Sequence, residues 1–457
     1  MSAWQNYLAE NRGRFLDELK DFLRIESVSA LPKHKDDVEK AGNWAAERMR
    51  QAGIENVKML PTDGHPVIYG DWLHAGNDKP TILIYGHFDV QPADPFELWE
   101  TPPFEANIRD GRIYARGAND DKGNMLLPIF AFEALRQTED GAPINLKFFF
   151  EGQEEIGSPD LPKFVATHRE LLHCDYVISA DGGQFSETEG NIFIGMKGLC
   201  ALEVSLKGAN ADLHSGMHGG AVQNPLFALA HVLASIKSLG GKILVDGFYD
   251  NVAALSDEDR KHIADVPFDE AVYKESLGVN ALFGEAGYST IERTWARPTL
   301  EINGMWGGFQ GEGVKTVLPN EAHAKISCRL VADQNPQQII ELLIKHIREN
   351  LPPGVTATFK PENSAGDPYL MPADHPGNQA AFEVLTELYV REPYYTRSGG
   401  TIPVTGIFLK ELGVYTVNFA FALDDEKQHS PNEFFRLSSF DLGQKAYCKL
   451  LHRIASK

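Results

Sequence analysis

Two histidines, two pairs of adjacent carboxylates and two further aspartates stand out in this chain: Gly86-His87-Phe88-Asp89, Asn119-Asp120-Asp121-Lys122, Gln153-Glu154-Glu155-Ile156, Ala180-Asp181-Gly182 and Gln428-His429-Ser430. Imidazole nitrogens and carboxylate oxygens together suit Zn²⁺, and Mn²⁺ or Co²⁺ can occupy the same kind of set. In extended backbone His87 and Asp89 project to one side, so Asp89 can sit behind a ligating His87, fix its tautomer and raise its basicity. At Asp120-Asp121 one carboxylate is enough to cap the helix that follows, which leaves the other available to bridge ions. Glu154-Glu155 offers a metal ligand and a free general base side by side. Each group alone is ordinary, since turns favour Asp and solvent favours Glu. With Asp181 and His429 they make a set of two nitrogens and three carboxylates. Two divalent ions would outweigh the charge of Asp120, Glu155 and Asp181, and the surplus favours a bound hydroxide, because zinc can lower a water pKa to about 7.

These residues need a scaffold that gathers them at one edge. Four apolar runs, TILIYGHFDV, INLKFFFEG, DYVISADGG and VYTVNFAFALDD, read as buried strands of an α/β domain, and each ends at or just before one of the chemical groups. Helical patterns at 122–137, 160–172 and 378–390 alternate with them, and MSAWQNYLAENRGRFLDELK reads as an amphipathic helix. In open α/β sheets ligands bind beyond the carboxyl ends of the strands, which is where the groups fall. The pattern changes at Leu199, where ALEVSLKG, HAKISCRLVAD, PQQIIELLIKHIREN and VTATFKPE spell strands and a helix of a separate α+β unit. The expected organisation is a doubly wound catalytic domain with a mixed or parallel sheet, over 1–198 and 365–457. An α+β lid or dimerisation domain is inserted at 199–364, with 240–300 as an irregular elaboration of it.

Composition narrows the partners. At 457 residues, with 43% hydrophobic and 23% charged, the chain is that of a folded protein large enough for two domains. A formal net charge of −21, with no stripe of Lys and Arg interleaved with aromatics, argues against nucleic acid and anionic membranes as partners. There is no apolar run of membrane-spanning length and no secretory signal, and the four cysteines are scattered singly. A cytoplasmic protein with reduced thiols is expected. No G-x-G-x-x-G follows the early strands and no G-x-S-x-G occurs, which removes the dinucleotide-binding and serine-hydrolase readings.

Taken in order, GHFDV, RGANDDKG, EGQEEIGS, SADGG and QHSPNE closely resemble the di-zinc metallopeptidase family of aminoacylases, carboxypeptidase G and carnosinase-like dipeptidases, over nearly the whole chain. The resemblance implies that His87, Asp120 and Asp181 hold one metal and Glu155, Asp120 and His429 the other, with Asp120 as the bridge. It implies that Glu154 is the general base, that Asp89 orients His87, and that the Asp120-Asp121 peptide is cis. In the insert it implies that His214 of Asp212-Leu213-His214-Ser215-Gly216 steadies the oxyanion, often in the partner subunit's site of a homodimer. Thr316, Arg329, Gly400 and Thr401 would contact the substrate, with Arg329 on its carboxylate. Two features depart from the pattern: Gln428 stands where these enzymes more often carry a small residue, and Thr401 replaces a common serine.

The activity so implied is hydrolysis of the amide bond in dipeptides or similar small amino-acid conjugates. An N-acyl-amino-acid amidohydrolase on the same scaffold is the nearest rival; the long insert, the KTVLP segment and the SGGTIP loop favour the dipeptidase branch. A non-catalytic binding protein of the same fold is a rival of another class, and the complete set of ligands and Glu154 weighs against it.

Overall fold

A computed structural model describes residues 2–362, 366–400 and 402–457. The chain forms two compact units. The first comprises Met1–Ile194, Met371–Tyr395 and Ile407–Lys457, and the second Gly195–Leu370 and Thr396–Gly406. The inserted segment thus begins at 195 and ends at 370, against the expected 199–364, and a short later stretch joins it. The reason is local: Tyr369-Leu370 pairs with Gly195-Met196, and Lys197 N–H donates to the Ser398 carbonyl at 3.2 Å, so both margins belong to the second unit's own hydrogen bonding.

The first unit is built on a six-stranded mixed sheet in the order Glu55–Leu60, Val67–Trp72, Asn145–Glu151, Thr81–His87, Tyr176–Ser179, Thr416–Asn418. The last four are mutually parallel, and the first two are antiparallel additions at one edge. All four apolar runs are strands of this sheet. Their residues are buried on both faces because helices cover both: Phe148 meets Phe132 of helix Lys122–Thr138 edge-on at 6.0 Å, while Phe149, pointing the other way, meets Phe164 of helix Leu161–Thr167 at 5.7 Å. Helix Ala3–Leu23 buries Leu8, Phe15, Leu19 and Phe22, a stripe at three- and four-residue spacing. The helical run expected at 160–172 breaks at His168 into Leu161–Thr167 and Arg169–Leu172, and the run expected at 378–390 occupies Pro376–Tyr389.

The second unit carries a four-stranded antiparallel sheet in the order Thr299–Gly307, Glu321–Leu330, Gly198–Lys207, Thr356–Pro361. Strand Gly198–Lys207 alternates buried and partly exposed residues along its length, the signature of a sheet with one covered face. Helices Pro225–Ile236 and Pro336–Glu349 cover that face and share a core of Leu202, Val204, Leu206, Leu229, Val232, Ile326 and Leu343. The stretch expected to be irregular holds short helices, Asp257–Asp265, Glu270–Leu277 and Thr290–Ala296. Among the described residues no helix is long and apolar enough to cross a membrane.

Candidate metal centre

His87 is the last residue of its strand, is fully buried, and is followed by Phe88, whose N–H still pairs with the Glu151 carbonyl at 2.9 Å. The preceding Gly86 is required by proximity: a Cβ there would lie 2.9 Å from the Asp121 carboxylate, which accepts the His87 N–H at 3.1 Å. Asp120 arrives on the loop before helix Lys122–Thr138, and the peptide joining it to Asp121 is cis. This loop is held by one buried carboxylate from far along the chain. Glu433 accepts from Arg116 Nη1 (2.6 Å), Gly117 N (3.0 Å), Asn119 N (2.9 Å) and Asp120 N (3.2 Å). Gly117 has φ +79° and would put a Cβ 2.4 Å from Val90, so this turn accepts only glycine.

Glu154 and Glu155 open a single 3₁₀ turn after strand Asn145–Glu151. Asp89 fixes that turn: its two carboxylate oxygens accept the N–H groups of Glu154 (3.2 Å) and Glu155 (3.1 Å). His87 Nδ1 lies 3.1 Å from the Asp89 main-chain carbonyl and 3.4 Å from its carboxylate, so Asp89 faces the imidazole through its backbone as well as its side chain. Asp181 follows strand Tyr176–Ser179 and is 8% exposed. His429 sits in a left-handed conformation, φ +57°, two residues after Lys427 at φ +60°. For residues with a Cβ such backbone is costly, and here it turns the His429 ring onto Asp120 Oδ2 (2.9 Å) and Glu155 Oε2 (3.1 Å).

Ligand atoms of His87, Asp120 and Asp181 all lie within 4.8 Å of one another, as do those of Asp120, Glu155 and His429. The two triads share Asp120, whose Oδ1 is 2.9 Å from His87 Nε2. The cluster crowds buried carboxylates around two imidazoles. Burial, reinforced by Asp181 and Asp120 against the pull of His87, pushes the Glu154 carboxyl well above its usual range. Burial likewise raises Asp181 to about 7. Hydrogen bonds that its ring donates to Asp120 and Glu155 lift His429 to about 10, and burial pushes Asp120 up but is outweighed by its bonds with His429 and His87, which hold it low. Buried carboxylates this close repel one another unless cations compensate them, and the donor set fits a divalent pair.

His214, Thr316, Arg329 and Gly400 belong to the second unit. Leu213-His214 pairs with Val317-Leu318, and Ser215 N–H donates to the Thr316 carbonyl at 3.0 Å, so the two motifs are neighbours. His214 is exposed and caps helix Ser215–His218, its Nδ1 accepting from Gly216 N at 3.1 Å, which leaves Nε2 as a donor in the neutral ring. Thr316 is exposed and Arg329 half-buried. The Gly400 N–H is spent on Ser398 Oγ at 2.8 Å, and Thr401 lies outside the described residues. Sequence reasoning missed Glu433 as the clamp on the Asp120 loop, although it is the last residue of QHSPNE. It also missed Gln91, whose amide bonds Glu155, and Gln428, whose amide bonds Asp120.

A sequence model described as peptidase family M20/M25/M40 matches residues 83–453. The Cys-Gly metallodipeptidase dug1 of Schizosaccharomyces pombe is 29% identical over 471 residues, covering 98% of this chain and 97% of its own. The Beta-Ala-His dipeptidase of Homo sapiens is 29% identical over 473 residues, covering 98% and 92%. Among solved structures, the M20 family metallo-carboxypeptidase Sso-CP2 from Sulfolobus solfataricus superposes with a TM-score of 0.82 at 31% identity, covering 97% of this chain and 99% of that one.

Proposed function

The chain belongs to peptidase family M20/M25/M40, and from that membership we propose that it is a two-metal dipeptidase acting on dipeptides or similar small amino-acid conjugates. The observation that carries this reading is the pair of ligand triads sharing Asp120, with Glu154 beside them and outside both. The family relatives that span nearly the full chain and are named as dipeptidases support the substrate class. His87, Asp120 and Asp181 would hold one divalent ion and Asp120, Glu155 and His429 the other, Zn²⁺ suiting the mixed N/O set best. When bound, the ions would polarise the substrate carbonyl and lower the pKa of a water.

Glu154 is the base in this reading. Its carboxylate takes a proton from the attacking water, the C–N bond breaks, and the proton passes to the departing amine. Asp89 keeps Glu154 in place by holding the N–H groups of the turn that carries it. His214 Nε2–H would steady the developing oxyanion, Arg329 would fork onto the substrate's terminal carboxylate, and the Thr316 hydroxyl would add a donor. Gly400 would contribute close approach without a side chain, its N–H being already used. The enzyme is expected to be a homodimer in which His214 serves the partner's site. Mixing Glu154→Ala with His214→Ala subunits should then restore activity well above either parent, and exchanged subunits that stay inactive would place His214 in its own chain's site or in none. The cytoplasm is the proposed compartment, in keeping with cysteines scattered singly along the sequence.

The test is a dipeptide library presented to metal-reconstituted protein. Cleavage of free dipeptides is the expected result. Hydrolysis of N-acetyl amino acids without dipeptide cleavage would move the chain to the amidohydrolase reading, and failure to hold divalent metal at all would favour a binding protein.

A further inference from the structure

Both carboxylates of the open triad are held by neutral amide side chains. The backbone N–H of Gln91 donates to Glu155 Oε1 at 3.1 Å, and its side-chain amide donates to Glu155 Oε2 at 2.9 Å and to the Glu155 carbonyl at 3.1 Å. Gln428 donates its amide N–H to Asp120 Oδ2, the oxygen that also faces His429. The backbone is bent to achieve this: Gln428 lies between Lys427 and His429, both left-handed, so the loop aims two consecutive side chains at one carboxylate. On the closed side, Asp120 offers its other oxygen, Oδ1, to His87, and among the described residues no amide side chain bonds that oxygen. Among the described residues, Asp181 bonds through its backbone to Ser179, and His87 leans on the Asp89 carbonyl.

We infer that Gln91 and Gln428 are positioning residues for the open triad, setting its affinity for the second ion more strongly than that for the first. The inference rests on the two-metal reading. A carboxylate oxygen has two lone pairs, so an oxygen that accepts an amide N–H keeps one for a cation while losing its freedom to rotate. A lysine or arginine in the same place would also orient the carboxylate, but it would cancel the charge that attracts the ion. An amide leaves the charge intact. Hydrogen-bond partners behind metal ligands carry about 10- to 100-fold in affinity. Gln91 acts where the triad meets the protein, half-buried beside Glu155, whereas Gln428 acts at its exposed rim.

Metal-free protein titrated with Zn²⁺ against a chromophoric chelator gives the affinities directly, without any activity measurement. The ion lost in His429→Ala identifies the open triad. Gln91→Ala should weaken that ion about 10- to 100-fold and leave the other unchanged, and Gln428→Ala, acting on the shared Asp120, should weaken that ion by a similar factor and the other by less. The melting temperature of metal-free Gln428→Ala should match the wild type, since the side chain is exposed. Unchanged affinities in both variants, or equal losses at both triads, would overturn the inference while leaving the two-metal reading in place. Wild-type protein that binds no second ion would overturn both.

Discussion

The two triads meet at one carboxylate and differ in almost everything else. His87, Asp120 and Asp181 are 0%, 5% and 8% exposed, so an ion among them would be enclosed by strand ends. Across Asp120, the His429 side chain is 50% exposed and comes from a strained loop rather than a strand. The closed side gets its precision from the sheet: His87 and Asp181 leave adjacent parallel strands at levels set by register. The open side gets its precision from hydrogen bonds, with Gln91 on Glu155 and Gln428 on Asp120. An enclosed ion would exchange slowly and hold the architecture together, while an exposed one would stay responsive to substrate and solution.

The contrast can be broken most severely at the residue both sides share. Asp120→Ala should empty both triads and reduce hydrolysis to background, and elemental analysis after dialysis would find neither ion. One retained ion would mean that Asp120 does not bridge. The next largest effect separates chemical neighbours. Glu154→Ala should keep both ions yet lose about 10²- to 10⁴-fold in rate, whereas Glu155→Ala should lose the open-side ion. Equal metal loss in the two variants would remove Glu154 from its role as base. The smallest expected effect is thermal. In metal-free protein His87→Ala leaves a cavity and unpaired buried partners, costing on the order of 1–3 kcal/mol. His429→Ala, at the exposed side, should stay within about 0.5 kcal/mol. Comparable melting shifts for the two would show that closed and open is the wrong division.

Much of this was legible from the chain alone, for a definite reason. Apolar runs ending in His87, Glu151, Ser179 and Asn418 announce buried parallel strands, and the order of the motifs announces the family. What could not be read were pairings between distant polar groups. Glu433 sits 313 residues from Asp120, and a lone glutamate in a loop looks like any solvated one until the fold buries it. Asp89 was read as a support for the His87 ring. Its carboxylate does lie 3.4 Å from His87 Nδ1, and its two oxygens also accept the backbone N–H groups of Glu154 and Glu155, donors that a loop 65 residues on supplies. Gln428 was visible as a departure, but the purpose of its amide required the left-handed turns on either side. The cysteines read as scattered singly, yet strand register sets Cys200 directly opposite Cys328.

The clamp of Glu433 on residues 117–120 also fixes an order of events during synthesis. Ala115 pairs with Glu433, and strand Phe434–Arg436 adds to Arg112–Tyr114, so the Asp120 loop gains its shape from a segment that emerges 313 residues after it. Closing so long a loop costs entropy that local contacts cannot repay in advance. A growing chain that has emerged past Asp181 therefore displays most of its cation-binding groups while the turn that must align them is still unformed. Alignment of the site is therefore a late product of the tertiary fold, reached when Glu433 folds back onto residues 117–120.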